Sequence, residues 1–304
     1  MTESTENKEQ SFRSGFAVIT GAPNVGKSTL LNRMIGEKIS ITSAKPQTTR
    51  NRIAGIAHGS GFQIVFIDTP GIHDSERIFN RRIVDVALAS MDEGDLILAI
   101  ADASSQDHAS EALILEKLQK KAGTPAVLAL NKVDLVEKPR LLTQIDQWSK
   151  TGAFAEIVPV SAKTGLQVPE LLSAMAGRLP EGPPYYPEDA ITDAPERFIV
   201  AEMIREQVFA RTGEEIPYST AVTIESFSED ESAGLVRIHA AIHVERNSQK
   251  GIIIGRHGQM LKAIGTAARA DIEHLLGARV MLKLFVRVEK NWSKNPKAIR
   301  KLGY

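Results

Sequence analysis

Apolar and polar positions follow two regimes along this chain. In the first half, short unbroken apolar runs at 16–19, 95–101, 126–130 and 157–160 alternate with stretches of helical spacing. Such runs read as strands buried on both faces. Leu30, Leu31, Met34 and Ile35 share one helical face after the first run. Helical spacing returns at 82–91, 109–121, 139–150 and 168–179. Segments 52–58 and 63–67 alternate around His58, Gly59, Ser60 and Gly61, which predicts a β-hairpin. Strands alternating with helices predict an α/β domain with a mostly parallel sheet, helices on both faces and ligand loops at the strand C-termini.

The second half reads differently. Helical spacing at 197–209 is followed by alternating strands at 220–227 and 235–244, then helical patterns around Met260, Leu261 and Ile264 and over 267–276, then a strand at 280–288. That order, α-β-β-α-α-β, predicts a separate α+β domain. Pro180, Pro183, Pro184, Pro187 and Pro195 crowd the stretch between the halves. Proline at this density forbids a helix and makes a semi-rigid linker. The expected division is a flexible polar segment at 1–14, a first domain at 15–180, a linker at 181–195 and a second domain at 196–304.

Composition narrows the chemistry. The chain has 304 residues, 42% of them hydrophobic, enough for two cores. It has no cysteine, which removes disulfides, thiolate metal sites and cysteine nucleophiles and fits a reducing compartment. Residues 1–14 lack the apolar core of a signal peptide, and no apolar run reaches the roughly 18 residues of a spanning helix. A cytoplasmic protein is expected, with attachment to the cytoplasmic face of a membrane left open. Lys+Arg and Asp+Glu both number 37, so only local charge can point to a partner.

The chemistry concentrates in five stretches of the first half. Gly21, Ala22, Pro23, Asn24, Val25, Gly26, Lys27 and Ser28 fit G-x-x-x-x-G-K-[ST], between a strand and a helix. Loop amides and the first helical turn, through Thr29, can surround phosphates. Lys27 adds charge, and Ser28 can ligate Mg²⁺. The polar stretch 38–50 is a candidate switch loop, in which a threonine can close over Mg²⁺. Asp68, Thr69, Pro70 and Gly71 end a strand; Asp68 can hold Mg²⁺ through water, and Gly71 can offer its amide to a γ-phosphate. Asn131, Lys132 and Asp134 end another strand. The Asp134 carboxylate can accept from two donors on guanine, whereas adenine would leave a carboxylate oxygen unpaired. The Lys132 stem can lie along the base. The amides of Ser161, Ala162 and Lys163 can donate to guanine O6.

In the second half, Gly255, Arg256, His257 and Gly258 form a G-x-x-G loop between helical patterns, and Ile254 and Lys262 beside it are further candidate RNA contacts. Two glycines let an RNA backbone approach, Arg256 and His257 add donors to phosphate, and the adjacent apolar groove can take about four bases. From Arg246 onward, Lys and Arg are opposed only by Asp271, Glu273 and Glu289, which favours a polyanion. His239 and His243 would share a helical face, but their segment reads as strand, so a metal site is not expected there.

The first-half motifs, in this order, resemble the small GTPase superfamily. Pro46, Gln47, Thr48, Thr49 and Arg50, with Tyr186, Pro187, Glu188 and Asp189 and then Ile191, Thr192 and Asp193, resemble the bacterial Era family. The second half is similar to a type II KH domain, so the resemblance spans 15–304. It implies GTP hydrolysis to GDP and phosphate, with Lys27, Thr49 and Gly71 at the reacting phosphate and Ser28, Thr49 and Asp68 around Mg²⁺. Ile72 stands where Ras-like enzymes carry a catalytic glutamine, which implies slow hydrolysis without a partner. A K⁺ role at Asn24 is a further option. The resemblance also implies binding to 16S ribosomal RNA near its 3′ end and to the 30S subunit, by a monomer that does not use DNA, in small-subunit biogenesis. The rival readings are a membrane-attached signalling GTPase and an RNA-binding scaffold with structural nucleotide.

Overall fold

In the computed structural model the described residues are 11–42, 53–68, 94–105, 108–121, 123–213, 215–230, 232 and 234–303. The first half builds a six-stranded sheet from β1 (Arg13–Gly21), β2 (Ile53–Gly59), β3 (Phe62–Asp68), β4 (Leu96–Asp102), β5 (Ala126–Asn131) and β6 (Glu156–Pro159). Their order is β2-β3-β1-β4-β5-β6. Of these strands only β2 runs antiparallel to its neighbour, as the first strand of the hairpin with β3. The helices are α1 (Lys27–Ile35), α2 (His108–Lys120), α3 (Lys138–Ser149) and α4 (Val168–Ala176).

The unbroken apolar runs follow from having two cores. Ala17 and Ile19 of β1 face one cluster while Val18 faces the other. In β4, Leu96, Leu98 and Ile100 face the first cluster while Ile97, Ala99 and Ala101 face the second. Successive side chains of a strand point to opposite faces, so a central strand with no wet face needs apolar residues throughout. Leu30, Leu31 and Leu171 from α1 and α4 cover one face; Ile114, Leu118 and Trp148 from α2 and α3 cover the other.

The second half adds α5 (Glu196–Arg211), β7 (Ala221–Asp230), β8 (Leu235–Val244), α6 (Asn247–Ile254), α7 (Gln259–Leu276), β9 (Arg279–Val288) and α8 (Pro296–Lys301). β7 pairs antiparallel with β8, and β8 pairs parallel with β9. A parallel pair needs a crossover, and α6 and α7 supply it. Met203 and Ile204 of α5 pack with Ile264, Ala268 and Ile272 of α7 and Ile238 and Ile242 of β8. At the end of the chain Trp292 is fully buried, with Nε1 donating to the Ser219 carbonyl at 3.0 Å. No helix among the described residues is long and apolar enough to cross a membrane.

Three boundaries differ from expectation. β1 begins at Arg13, inside the stretch expected to be flexible, because Arg13 pairs with Phe62 and its guanidinium donates to the Leu179 carbonyl at 2.7 Å. The stretch 38–42, expected to open a polar switch loop, buries Ile39 and Ile41, each 2% exposed. The two helical patterns after the G-x-x-G loop form one helix, α7. Residues 43–52 and 69–93, with the rest of the expected switch loop and the helix expected at 82–91, lie outside the described residues.

The proline-rich linker covers the sheet edge. The Ile191 carbonyl accepts from Ile56 N at 2.9 Å, and Thr192 Oγ1 donates to the Ala54 carbonyl at 2.6 Å. Gln63 Oε1 accepts from the amides of Tyr185 and Tyr186 at 2.7 and 3.0 Å, and Gln63 Nε2 donates to the Tyr186 carbonyl at 2.8 Å. β2 would otherwise present unpaired backbone groups, so the linker satisfies an edge strand while joining the domains.

Candidate nucleotide and RNA sites

The phosphate loop leaves β1 and enters α1 through Gly26, the N-cap, at φ 101°. A Cβ at Gly26 would run into the side-chain amide of Asn131, and one at Gly21 would lie 2.6 Å from the Ile100 carbonyl oxygen. Both glycines are therefore demanded by protein packing around the loop as well as by phosphate approach. Asn24 adopts φ 63°, a left-handed conformation that asparagine tolerates better than most residues. Lys27 Nζ donates to the Gly21 and Ala22 carbonyls at 3.0 and 2.7 Å. Burial lowers its pKa to about 8, with the Asp68 charge opposing. Thr29 lies in the first turn of α1. Behind the loop, a cavity of about 210 Å³ is lined by Pro23, Asn24, Asp102, Glu111, Ile114 and Lys132.

Asp68 ends β3 fully buried. Its Oδ2 accepts from the hydroxyls of Ser28 and Ser40, each at 3.1 Å. Its Oδ1 is buried and has no hydrogen-bond partner among the described residues. Burial raises its pKa, while Lys27, Ser28 and Ser40 pull the other way. A buried carboxylate with one uncommitted oxygen, beside a serine hydroxyl, is an all-oxygen donor set that fits Mg²⁺. Thr49, Thr69, Pro70 and Gly71 lie outside the described residues.

Asn131 joins the three remaining loops. Its Nδ2 donates to the Val25 carbonyl of the phosphate loop at 2.8 Å, and its Oδ1 accepts from Ala162 N at 2.9 Å. The Ala162 amide, expected to face guanine O6, is thus shared with or committed to Asn131; the next amide is that of Lys163. Asp134 Oδ1 accepts from the Ser161 hydroxyl at 2.7 Å. This bond orients the carboxylate and leaves lone pairs on both oxygens for a donor pair. Lys132 holds φ 65° and leads into the tight turn Val133–Leu135 that carries Asp134. Its Nζ donates to Asp102 Oδ2 at 2.6 Å.

Sequence reasoning missed Asp102, Ser40 and the contacts of 38–42. Asp102 had a usable signal: like Asp68, it is a carboxylate at the C-terminal end of a core strand. The stretch 38–42 had only a weak one, because all of its partners except Asn32 are distant in sequence. Asn32 Oδ1 accepts from Ile39 N and Ser40 N at 3.0 and 2.9 Å, which fixes the strap against α1. Thr42 N and Oγ1 both donate to Glu206 Oε1 of α5 at 2.9 Å. Lys38 Nζ lies 2.6 Å from Glu206 Oε2 and 2.8 Å from Asp271 Oδ2 of α7. One five-residue strap therefore touches the Asp68 carboxylate and two helices of the second domain.

The G-x-x-G loop sits between α6 and α7. Gly255 and Gly258 take φ 72° and 76°, and His257 takes φ 51°. Gly255 N donates to the Gly251 carbonyl at 2.9 Å, and Gly258 N to the Gly255 carbonyl at 3.2 Å. Those two amides are committed to the turn. Arg256, His257 and Lys262 stand exposed, Ile254 is half-buried, and Ile252 is 49% exposed beside them. Cations next to exposed apolar surface suit a phosphate backbone with bases laid in the groove.

The family described as 50S ribosome-binding GTPase matches residues 16–132, and the KH domain family matches residues 215–293. The chain is 55% identical over 296 residues to GTPase Era of Geotalea uraniireducens, covering 97% of this chain and 99% of that one. GTPase Era of Geobacter sp. strain M21 is 53% identical over the same length, with the same coverage. Among solved structures, an Aquifex aeolicus Era variant bound to GDP·AlF4⁻ matches with TM-score 0.91 and 39% identity, over 96% of this chain and 99% of that one. Era in complex with MgGDPNP and nucleotides 1506–1542 of 16S ribosomal RNA matches with TM-score 0.91 and 38% identity, at the same coverage.

Proposed function

Because this chain belongs to the Era family of GTPases, we propose that it hydrolyses GTP to GDP and phosphate and uses its nucleotide state to gate binding of 16S ribosomal RNA near the 3′ end. The observation that carries the nucleotide half is the Asn131 brace, which draws the phosphate loop, the Asp134 loop and the Ser161–Lys163 turn around one space. In this reading Asp134 takes the two guanine donors. The amides of residues 24–29 and Lys27 take the phosphates. Ser28, Asp68 and Thr49 hold Mg²⁺, which supplies positive charge to phosphate oxygens. Water forms the new bond to the γ-phosphorus as the bond to the bridging β–γ oxygen breaks, giving GDP and inorganic phosphate. The protein contributes position and electrostatics, with no covalent intermediate. K⁺ at Asn24 rests on the resemblance alone and is tested by exchanging K⁺ for Na⁺ during turnover.

The RNA half rests on the exposed Arg256-His257 tip, the apolar Ile252 and Ile254 beside it, and the RNA held by the structural relative. The strap at 38–42 is the route by which nucleotide state reaches the second domain. We place the protein in the cytoplasm, acting on the small ribosomal subunit.

The test combines turnover and binding. Phosphate release should disappear in Lys27→Ala. A labelled RNA spanning the 16S 3′ end should bind more tightly with a non-hydrolysable GTP analogue than with GDP and lose that binding in Gly258→Asp. A Cβ at Gly258 meets no atom within 4 Å, but φ 76° strains any side chain there, so a thermal melt of the variant must accompany the binding measurement. Equal RNA binding in both nucleotide states would remove the gating claim.

A further inference from the structure

We infer that Asp102 is a positioning residue for guanine recognition, acting through Lys132 to hold the loop that carries Asp134. The inference rests on the nucleotide reading above and extends it to a residue outside the expected motifs.

Asp102 ends β4 directly opposite Asn131 in the parallel pairing of β4 with β5. Its carboxylate is used from both sides. Oδ1 accepts from Ser104 N at 2.8 Å and from the Ser104 hydroxyl at 2.6 Å, while Oδ2 accepts from Lys132 Nζ at 2.6 Å. The turn after Asp102 is tied to the same loop, since Ala103 N donates to the Asn131 carbonyl at 2.8 Å. The Ala103 carbonyl in turn accepts from Gln144 Nε2 of α3 at 3.0 Å. The carboxylate therefore cannot rotate freely to follow the lysine.

A mobile surface ion pair would contribute little. This one differs because the Asp102 side chain is only 14% exposed and already oriented by Ser104. The lysine has the unusual backbone: φ 65° at Lys132 opens the turn Val133–Leu135. Anchoring Nζ extends the lysine stem and steadies the backbone from which Asp134 projects two residues later. The stem's use as a wall for the base and the aim of the Asp134 carboxylate then depend on one strand-end aspartate. Hydrogen bonds also hold the Asp102 carboxyl below its ordinary range: burial alone would raise it, and Lys132 and Ser104 reverse that. The anion is thus present whenever nucleotide binds at neutral pH.

The test measures GDP and tripolyphosphate affinity in the full chain carrying Asp102→Asn, Lys132→Met, both together, or Asp134→Ala. Asp102→Asn should weaken GDP by roughly tenfold, the scale of one charge-assisted hydrogen bond. Tripolyphosphate, which has no base, should change by less than about twofold. On the Lys132→Met background the aspartate substitution should add no further loss. In turnover the defect should fall on KM rather than kcat. Parent-like GDP binding by Asp102→Asn would overturn the inference. So would equal losses of GDP and tripolyphosphate, or a full additive loss in the double variant. If Asp134→Ala also leaves GDP binding intact, the guanine pocket itself is misassigned; if Asp134→Ala weakens it and Asp102→Asn does not, only the positioning role falls.

Discussion

Removing the Glu206 carboxylate tests whether the strap couples the two domains. Glu206 is nearly buried: its Oε1 accepts from Thr42 N and Thr42 Oγ1, and its Oε2 forms an ion pair with the Lys38 ammonium at 2.6 Å without a well-formed hydrogen bond. Hydrogen bonds to a charged group contribute about 1.5–3 kcal/mol each. Two such bonds from Thr42 give a gross value of roughly 3–6 kcal/mol. Water reaches the half-buried threonine once the carboxylate is gone, and Lys38 keeps Asp271, so about half of that is recovered. The Lys38 contribution is smaller, because its side chain is 34% exposed and exposed pairs add at most about 1 kcal/mol. Glu206→Ala should therefore loosen the strap by about 2–3 kcal/mol, whereas Glu206→Gln keeps an acceptor for Thr42 and should cost about 1 kcal/mol.

Native-state hydrogen exchange reads this directly at the Thr42 amide. A loss of 2–3 kcal/mol corresponds to exchange faster by roughly 30- to 150-fold. The difference in RNA affinity between GTP-analogue and GDP states should shrink in the same variant. Unchanged Thr42 exchange in Glu206→Ala would refute the strap's energetic role. Identical effects of the alanine and glutamine variants would refute the assignment of most of its strength to the Thr42 bonds.

Three other outcomes follow from the same geometry. Lys27 has a folded pKa of about 8 against an unfolded value of roughly 10.4, so between these values the unfolded chain binds more protons and this group's contribution to stability rises with pH. Triphosphate binding needs the charged amine, so affinity should begin to fall above about pH 8, with no such break in Lys27→Ala; a flat parent profile to pH 10 would contradict the assignment. Arg205 is fully buried and holds Glu202 through bonds of 2.7 and 2.5 Å, so Arg205→Ala should lower stability in denaturant titration by about 3–5 kcal/mol, while Arg205→Met with Glu202→Leu should recover most of it. Gly255→Ala should destabilise the second domain in thermal melts far more than Gly258→Ala, because a Cβ at Gly255 would lie 2.6 Å from that of Met260 while one at Gly258 meets open space.

How much of this was readable from the chain depends on how far apart the interacting residues lie. The alternation of apolar runs with helical spacing carried the first sheet, because each central strand faces two cores and each helix faces one. The phosphate loop, Asn131 and Asp134 were readable because their chemistry demands fixed residue types at short spacing. Ile39 and Ile41 were read as part of a polar switch loop: two isoleucines among polar neighbours give a weak local signal, and what buries Ile39 is packing around Leu30, Leu31 and the hairpin. Glu206 and Asp271 gave no signal, since each looks like an ordinary helix carboxylate until folding brings it to Thr42, 164 residues away, or Lys38, 233 residues away.

Asp102 and Glu206 show the same physics at two different segments. Each is a carboxylate that binds no nucleotide in the proposed mechanism but holds a segment that does, or that leads to one that does. A residue touching ligand must match the ligand, so its type and spacing are constrained locally. A residue holding that segment must match only the fold, and any strand end or helix face that arrives with a carboxylate will serve. Ser40 ties the two roles together: its hydroxyl bonds Asp68 at the proposed metal site, and two residues later Thr42 is held by Glu206. Movement of the strap is therefore constrained at both ends, by the carboxylate that should receive Mg²⁺ and by the helix that packs against the RNA-binding domain's core. Nucleotide exchange that repositions Ser40 must strain or break the Thr42 bonds, and RNA that shifts α5 must alter the hydrogen bonding of Asp68. By linkage the two effects are equal in free energy, so weakening the Glu206 end should reduce both by the same factor.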